Sequence, residues 1–243
     1  MVFNAEESNM SGVHRYAMLA SFLCLIATAA APLKAMAADR CENLPPSKLQ
    51  VLSAKAGALE DRGVLASELA QDVPAGVVAS RHSVMLMVSD TVSWFGIVHR
   101  VLPRDDGSVC NSPELVRMGF GTSRHTVLLA QAAADDVCVR REMLDHATIH
   151  VPASDTAVEQ FIDEHTMNFQ QGMKALKQTP APNTETVTAQ WRKGLQLIVA
   201  QAKEQLLDDL RAANARVDTP AVLAALENAC GGRIRELARR GSL

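Results

Sequence analysis

The chain has 243 residues, of which 48% are hydrophobic and 4% are aromatic. This length allows one domain with a sizeable core, or a smaller domain with a helical extension. The 24 lysines and arginines are balanced by 27 aspartates and glutamates, and the resulting net charge of -3 excludes the basic footprint of a nucleic-acid-binding protein.

The N-terminal residues 1–37 have the parts of a secretory signal peptide. A weakly basic stretch precedes an apolar run over residues 17–31, and the A-x-A sequence that ends at Ala37 is a cleavage site. The run is too short for a comfortable membrane span, although an uncleaved N-terminal anchor is the alternative. We therefore predict cleavage after Ala37, a periplasmic or secreted location and no stable membrane insertion of the mature chain.

Signal cleavage would leave an even number of cysteines, which predicts disulfide bonds in an exported protein. The four are Cys41, Cys110, Cys138 and Cys230, and four cysteines allow three connectivities. We favour Cys110 with Cys138, because that bridge would tie a strand-entry loop to the start of a histidine-bearing helix. Cys41 would then pair with Cys230. Cysteine ligation of a metal is the alternative, but the chain has no CxxC pair.

Strand signals dominate the first half of the mature chain. We predict a strand over residues 48–54 and a short helix over residues 59–72, interrupted by Gly63. From residue 82 the enrichment in Val, Ile, Met and aromatic residues predicts an antiparallel sheet of about four strands. These strands cover residues 82–89, 91–102, 114–119 and 125–131. Their predicted turns lie at Ser89-Asp90, at residues 103–108 and at Gly121-Thr122-Ser123.

Helical signals dominate the second half. Asp135 or Asp136 can cap a helix that begins near Val137, and Pro152 should end or kink it. A second helix then runs to about residue 177, a linker covers residues 179–183, and a long amphipathic helix covers residues 185–216. Asp218-Thr219-Pro220 should cap a last helix, which Gly231-Gly232 breaks. A sheet followed by helices predicts an α+β fold.

The helix after Asp136 carries two histidines at metal-binding spacing. His146 and His150 are four residues apart, so they lie on one face of the helix, as two imidazole ligands of a zinc ion do. This is the skeleton of the HExxH motif, but Ala147 stands where that motif has its general-base Glu. The alternative is that both histidines sit at the margin of a core stripe that includes Met143.

The order of elements resembles that of secreted bacterial zincin-like peptidases, which are zinc-dependent and of the HExxH type. The resemblance covers residues 82–177 and rests on Cys110, the strand at residues 126–130, Cys138 and the two histidines of HATIH. It implies an α+β zincin-like domain over residues 38–178 with Zn²⁺ bound by its HxxxH helix, followed by a helical extension over residues 183–243.

A third ligand would have to come from the helix after Pro152. We predict Glu159 or His165, because a His-His-Glu or a three-His set is a common zinc site. Histidines in the predicted strands, namely His82, His99 and His125, are interpreted as ordinary sheet residues.

The departure at Ala147 bears on activity. The Glu of a zincin takes a proton from the zinc-bound water and passes it to the leaving amine, and alanine can do neither. Asp145 points about 100° away around the helix. We therefore expect a peptidase-inactive protein that retains zinc binding or binds a peptide or protein partner. The alternatives are a working hydrolase with an unrecognised base, and a periplasmic helical interaction protein with no metal site, whose residues 183–243 dock a partner.

Overall fold

The computed structural model describes Cys41 and residues 44–104, 106–176 and 181–241. The predicted signal peptide at residues 1–37 lies outside these described ranges. All described residues belong to one compact unit. Within the described ranges, no helix is long and apolar enough to span a membrane.

In the described part of the chain, five strands form a mixed sheet, which confirms the α+β class. The two longest strands, β4 and β5, pair antiparallel, and β3 pairs antiparallel with the other edge of β4. Both β1 and β2 run parallel to β5 and pair with different parts of it, so the sheet is not wholly antiparallel. The strands are β1 (Lys48–Ala54), β2 (Glu60–Val64), β3 (Val77–His82), β4 (Met85–Pro103) and β5 (Val109–Ala130).

The predicted turns at residues 89–90 and 121–123 are wrong, because both lie inside long strands. They face each other across the β4–β5 pair. Asp90 pairs with Arg124 and Thr91 pairs with Thr122, which leaves Ser123 as an extra, unpaired residue. The polar and glycine residues that suggested turns therefore mark a β-bulge, where one strand holds one residue more than its partner.

This bulge keeps the buried face of β5 continuous. Before it, even-numbered residues such as Phe120 are buried, and after it odd-numbered residues such as Val127 are buried. An inserted residue produces this change of parity, because successive side chains of a strand point to opposite faces. At the bulge, Gly121 has φ 153°, and a Cβ there would lie 1.9 Å from the carbonyl oxygen of Ala54 in β1.

Among the residues that the structure describes, five helices accompany the sheet, two of them only four residues long. The start of one helix and the range of another agree with the predictions. Helix α3 begins at Val137 after the cap Asp136, and α4 nearly matches the predicted range 185–216. Helix α3 continues through Pro152, so the two helices predicted on either side of Pro152 are one. The helices are α1 (Ala66–Leu69), α2 (Gln131–Ala134), α3 (Val137–Ala175), α4 (Thr184–Val217) and α5 (Pro220–Gly241).

The main core lies between one face of the sheet and helices α3 and α4. These two helices run antiparallel, since His150 contacts Asn214 near one end and Gly172 approaches Ile198 near the other. Helix α5 is interrupted by non-helical residues around Gly231 and Gly232, as predicted. Buried residues of the main core include Val116, Met118, Phe120, Phe161, Phe169, Leu195, Leu206 and Leu210.

Both predicted disulfide pairings are wrong. Cys41 is bonded to Cys110, and Cys138 is bonded to Cys230, with Cα atoms 5.5 and 6.0 Å apart. The reason lies in the length of β5, which begins beside Cys110 and ends shortly before α3. A strand rises about 3.3 Å per residue, so Cys110 and the far end of β5 are roughly 60 Å apart. A disulfide between Cys110 and Cys138 is excluded by that distance.

Candidate metal centre

Three histidines and one aspartate converge at one end of the long helices. Their candidate ligand atoms all lie within 4.8 Å of one another. His82 is the last residue of β3, His146 and His150 share one face of α3, and Asp218 follows the last residue of α4. The cluster therefore joins the sheet, the central helix and the α4–α5 junction.

Local structure explains how each ligand reaches the cluster. The spacing of four residues places His146 and His150 one above the other on α3. Helix α4 lies antiparallel beside α3, so its C-terminal end arrives next to His150. Asp218 caps that end, where its backbone N–H donates to the carbonyl oxygen of Asn214 at 3.0 Å.

Four of the six distances within the cluster lie near the ligand spacing of a tetrahedral zinc site, and all six are within 4.8 Å. Oδ1 of Asp218 lies 3.0 Å from Nε2 of His146, 3.0 Å from Nε2 of His150 and 3.5 Å from Nε2 of His82. The Nε2 atoms of His146 and His150 are 3.3 Å apart. A zinc ion with ligands at about 2.0 to 2.1 Å places its ligand atoms roughly 3.3 Å from one another.

Burial sets the protonation of the histidines. The side chain of His150 is fully buried, and those of His146 and His82 are only 4% and 5% exposed. Burial lowers the pKa of His82 to about 4 and outweighs the attraction of Asp218. Burial also lowers the pKa of His146, despite its hydrogen bond to Asp218. Both imidazoles are therefore neutral at neutral pH, which is the form that ligates a metal.

The carboxylate is held in its ionised form. Burial acts to raise the pKa of Asp218, but the hydroxyl of Ser80 and the neighbouring histidines outweigh it, so the pKa lies below its usual value. The hydroxyl of Ser80 donates to Oδ2 of Asp218 and leaves Oδ1 directed at the histidines. Imidazoles bind a metal in their neutral form, so three of them with an ionised carboxylate make a ligand set with one negative charge, which suits a divalent cation.

Two of the sequence-predicted ligands meet in this cluster, and two lie elsewhere. Glu159 forms an exposed ion pair with Lys55 at 2.7 Å. His165 packs on Phe161, with ring centroids 4.7 Å apart. Glu159 follows His150 by nine residues, which is about 13 Å along the helix axis. Both are therefore too far along α3 to join the cluster.

The other two members of the cluster are His82 and Asp218. The sequence suggested an ordinary sheet residue for the first and part of the cap that starts the last helix for the second. In the structure Asp218 is the C-terminal cap residue of α4, and the hydroxyl of Thr219 accepts the cap hydrogen bond at the start of α5. No local pattern marks either as a ligand, because each is brought to α3 by tertiary packing. The other strand histidines make ordinary contacts: His125 with Ser89 at 2.8 Å and His99 with Asn111 at 3.1 Å.

The position of the missing general base lies in the hydrophobic core. Ala147 is fully buried and belongs to a cluster with Met85, Val139 and Met143. Asp145 is exposed to solvent. Neither side chain is therefore placed to take a proton from a water molecule bound at the histidine cluster.

Comparison with known proteins gives no match to this chain: no protein-family model, no curated protein and no solved structure. The site therefore has to be interpreted from its own geometry. That geometry is a buried group of three histidines and one aspartate that can bind a metal ion. The two disulfides fit a secreted protein.

Proposed function

We propose that this protein is an exported zinc-binding protein that does not hydrolyse peptides. The observation that carries the proposal is the convergence of three imidazole nitrogens and one carboxylate oxygen, four of whose six separations are 3.0 to 3.5 Å. The two disulfides support a periplasmic or secreted location, because disulfides persist in oxidising compartments.

The donor set favours zinc over other common cations. Mg²⁺ and Ca²⁺ prefer six or more oxygen ligands, whereas this cluster offers three nitrogens and one oxygen. Cu²⁺ favours a square or tetragonal arrangement. Three corners of a square cannot all be about equally far apart, whereas the ligand atoms of Asp218, His146 and His150 are 3.0, 3.0 and 3.3 Å from one another. Zinc accepts four ligands of this type at tetrahedral positions.

The same geometry argues against peptide hydrolysis. A catalytic zinc has three protein ligands and keeps a fourth position for water or substrate, whereas a structural zinc is closed by four. Here the three histidines and Asp218 supply four. The resemblance to zincin-like peptidases is then limited to the HxxxH helix. The proposed role of the metal is to hold β3, α3 and the α4–α5 junction together.

The test is metal content and zinc affinity of the mature protein that begins at Ala38. Elemental mass spectrometry should find about one zinc per chain, and chelator competition should give its affinity. A double variant, His146→Ala with His150→Ala, should lose the metal. His165→Ala is the matched control, because it removes a histidine of the same helix outside the cluster, and it should keep the metal. A wild-type protein with no bound zinc and no affinity for zinc would contradict the proposal.

A further inference from the structure

One hydrogen bond fixes which nitrogen of His150 faces the cluster. Nδ1 of His150 lies 3.1 Å from Oδ1 of Asn214, and both side chains are buried. An amide oxygen can only accept a hydrogen bond, so Nδ1 of His150 donates to it and carries a proton. With Nδ1 engaged in this way, Nε2 is the ring nitrogen that faces the cluster, and it offers a lone pair to a metal ion when it carries no proton.

The atom that Nε2 of His150 faces most closely cannot donate a proton. Nε2 lies 3.0 Å from Oδ1 of Asp218, and a carboxylate oxygen is only an acceptor. Without a proton or a metal ion between them, the two lone pairs would repel each other, and burial would strengthen the repulsion because the surroundings have a low dielectric. Nε2 therefore either donates a proton to Asp218 or, together with Oδ1, binds a metal ion.

We infer that Asn214 is a positioning residue, which keeps Nδ1 of His150 protonated and its Nε2 atom directed at the cluster before any metal ion arrives. The role of the metal ion rests on the proposed zinc function, whereas the protonated Nδ1 is a property of the metal-free protein. Ser80 acts in parallel on the other ligand, since its hydroxyl occupies Oδ2 of Asp218 and leaves Oδ1 for the cluster. Such contacts behind the ligands typically change metal affinity by about 10- to 100-fold.

The direct test is the tautomer of His150 in chelator-treated protein with ¹⁵N-labelled histidine. Long-range ¹H–¹⁵N spectra distinguish a protonated Nδ1 from a protonated Nε2, and a His150→Gln variant assigns the signal. We expect a protonated Nδ1 in the wild type and in Asn214→Asp, which keeps an acceptor. In Asn214→Leu, which has similar volume and no acceptor, the proton should move to Nε2 and bond to Asp218.

Zinc affinity then separates positioning from packing. Asn214→Leu should bind zinc about 10- to 100-fold more weakly, and Asn214→Asp should restore the affinity. Asn214→Ala provides the same comparison if the leucine variant does not fold. A wild-type ring with no proton on Nδ1 would overturn the inference, as would equal affinity losses in the Leu and Asp variants. If the expected tautomers appear but the wild type binds no zinc, the proposed function fails and the positioning role stands.

Discussion

Restoring the HExxH glutamate should damage this protein rather than activate it. Ala147 has no exposed surface and packs among Val139, Met143 and Met85. A glutamate there adds several heavy atoms to a filled core, which typically costs about 1 to 3 kcal/mol. Its carboxyl group would also be buried among apolar neighbours without a partner, which costs about 1 to 3 kcal/mol more. We therefore expect Ala147→Glu to lower the free energy of unfolding by about 2 to 6 kcal/mol.

Urea denaturation of Ala147→Glu, compared with the wild type, measures this loss. The matched control is Ile149→Glu, which adds the same carboxylate two residues away at a side chain that is 53% exposed. The control should change the free energy of unfolding by about 0.5 kcal/mol or less, as exposed substitutions usually do. A stable Ala147→Glu variant with chelator-sensitive peptidase activity would refute the reasoning, because it would show that this position faces the metal centre.

Three further predictions follow from other parts of the structure. Zinc at about 1,000 times its dissociation constant should stabilise the fold by about 4 kcal/mol, which urea unfolding measures. It should also slow amide exchange in residues 219–229, which hydrogen-exchange mass spectrometry measures. Unchanged unfolding and exchange would contradict this prediction. Gly121→Ala should cost about 3 kcal/mol in thermal or urea unfolding, because the added Cβ meets the Ala54 carbonyl oxygen, whereas Gly57→Ala has open space and should cost little. Asp136→Ala should destabilise the fold at neutral pH, because it removes the acceptor for the Val139 N–H. That bond and Arg233 hold the pKa of Asp136 below its usual value. The extra stability of the wild type over Asp136→Ala should therefore be complete above the unfolded-state pKa and vanish as pH falls through the folded-state pKa. A pH-independent difference between the two unfolding midpoints would contradict this.

Features set by short-range pattern could be predicted from the sequence. The start of α3 follows from a capping aspartate before a helical pattern, and Asp136 does accept hydrogen bonds from the N–H groups of Cys138 and Val139. The bounds of α4 follow from the 3.6-residue spacing of its apolar residues. The pairing of His146 with His150 needs only the geometry of one helix turn. None of these depends on how distant segments pack.

The missed features depend on such packing. Asp218 is 72 residues from His146, and it reaches the cluster only because α4 folds back along α3. Gly121 and its polar neighbours indicate an irregular backbone, but the same residue types occur in turns and in β-bulges, so the sequence does not distinguish the two. The wrong disulfides follow from that ambiguity, because four short strands would leave Cys110 close to Cys138, whereas one strand of 22 residues separates them.

The disulfide of Cys138 with Cys230 and the proposed zinc site flank a segment that the core holds only weakly. None of residues 219–229 is buried, although Leu226 and Ala229 pack against the edge of the core, so this segment gains less stability from the hydrophobic effect than the main core does. At one end it is tied to α3 through the disulfide of Cys230 with Cys138, and at the other it begins next to Asp218. A zinc ion at the cluster would fix Asp218 to the same helix. Each crosslink limits the freedom of the segment between them, and loss of the metal should loosen that segment first, while the main core, built from Phe120 and its neighbours, stays intact.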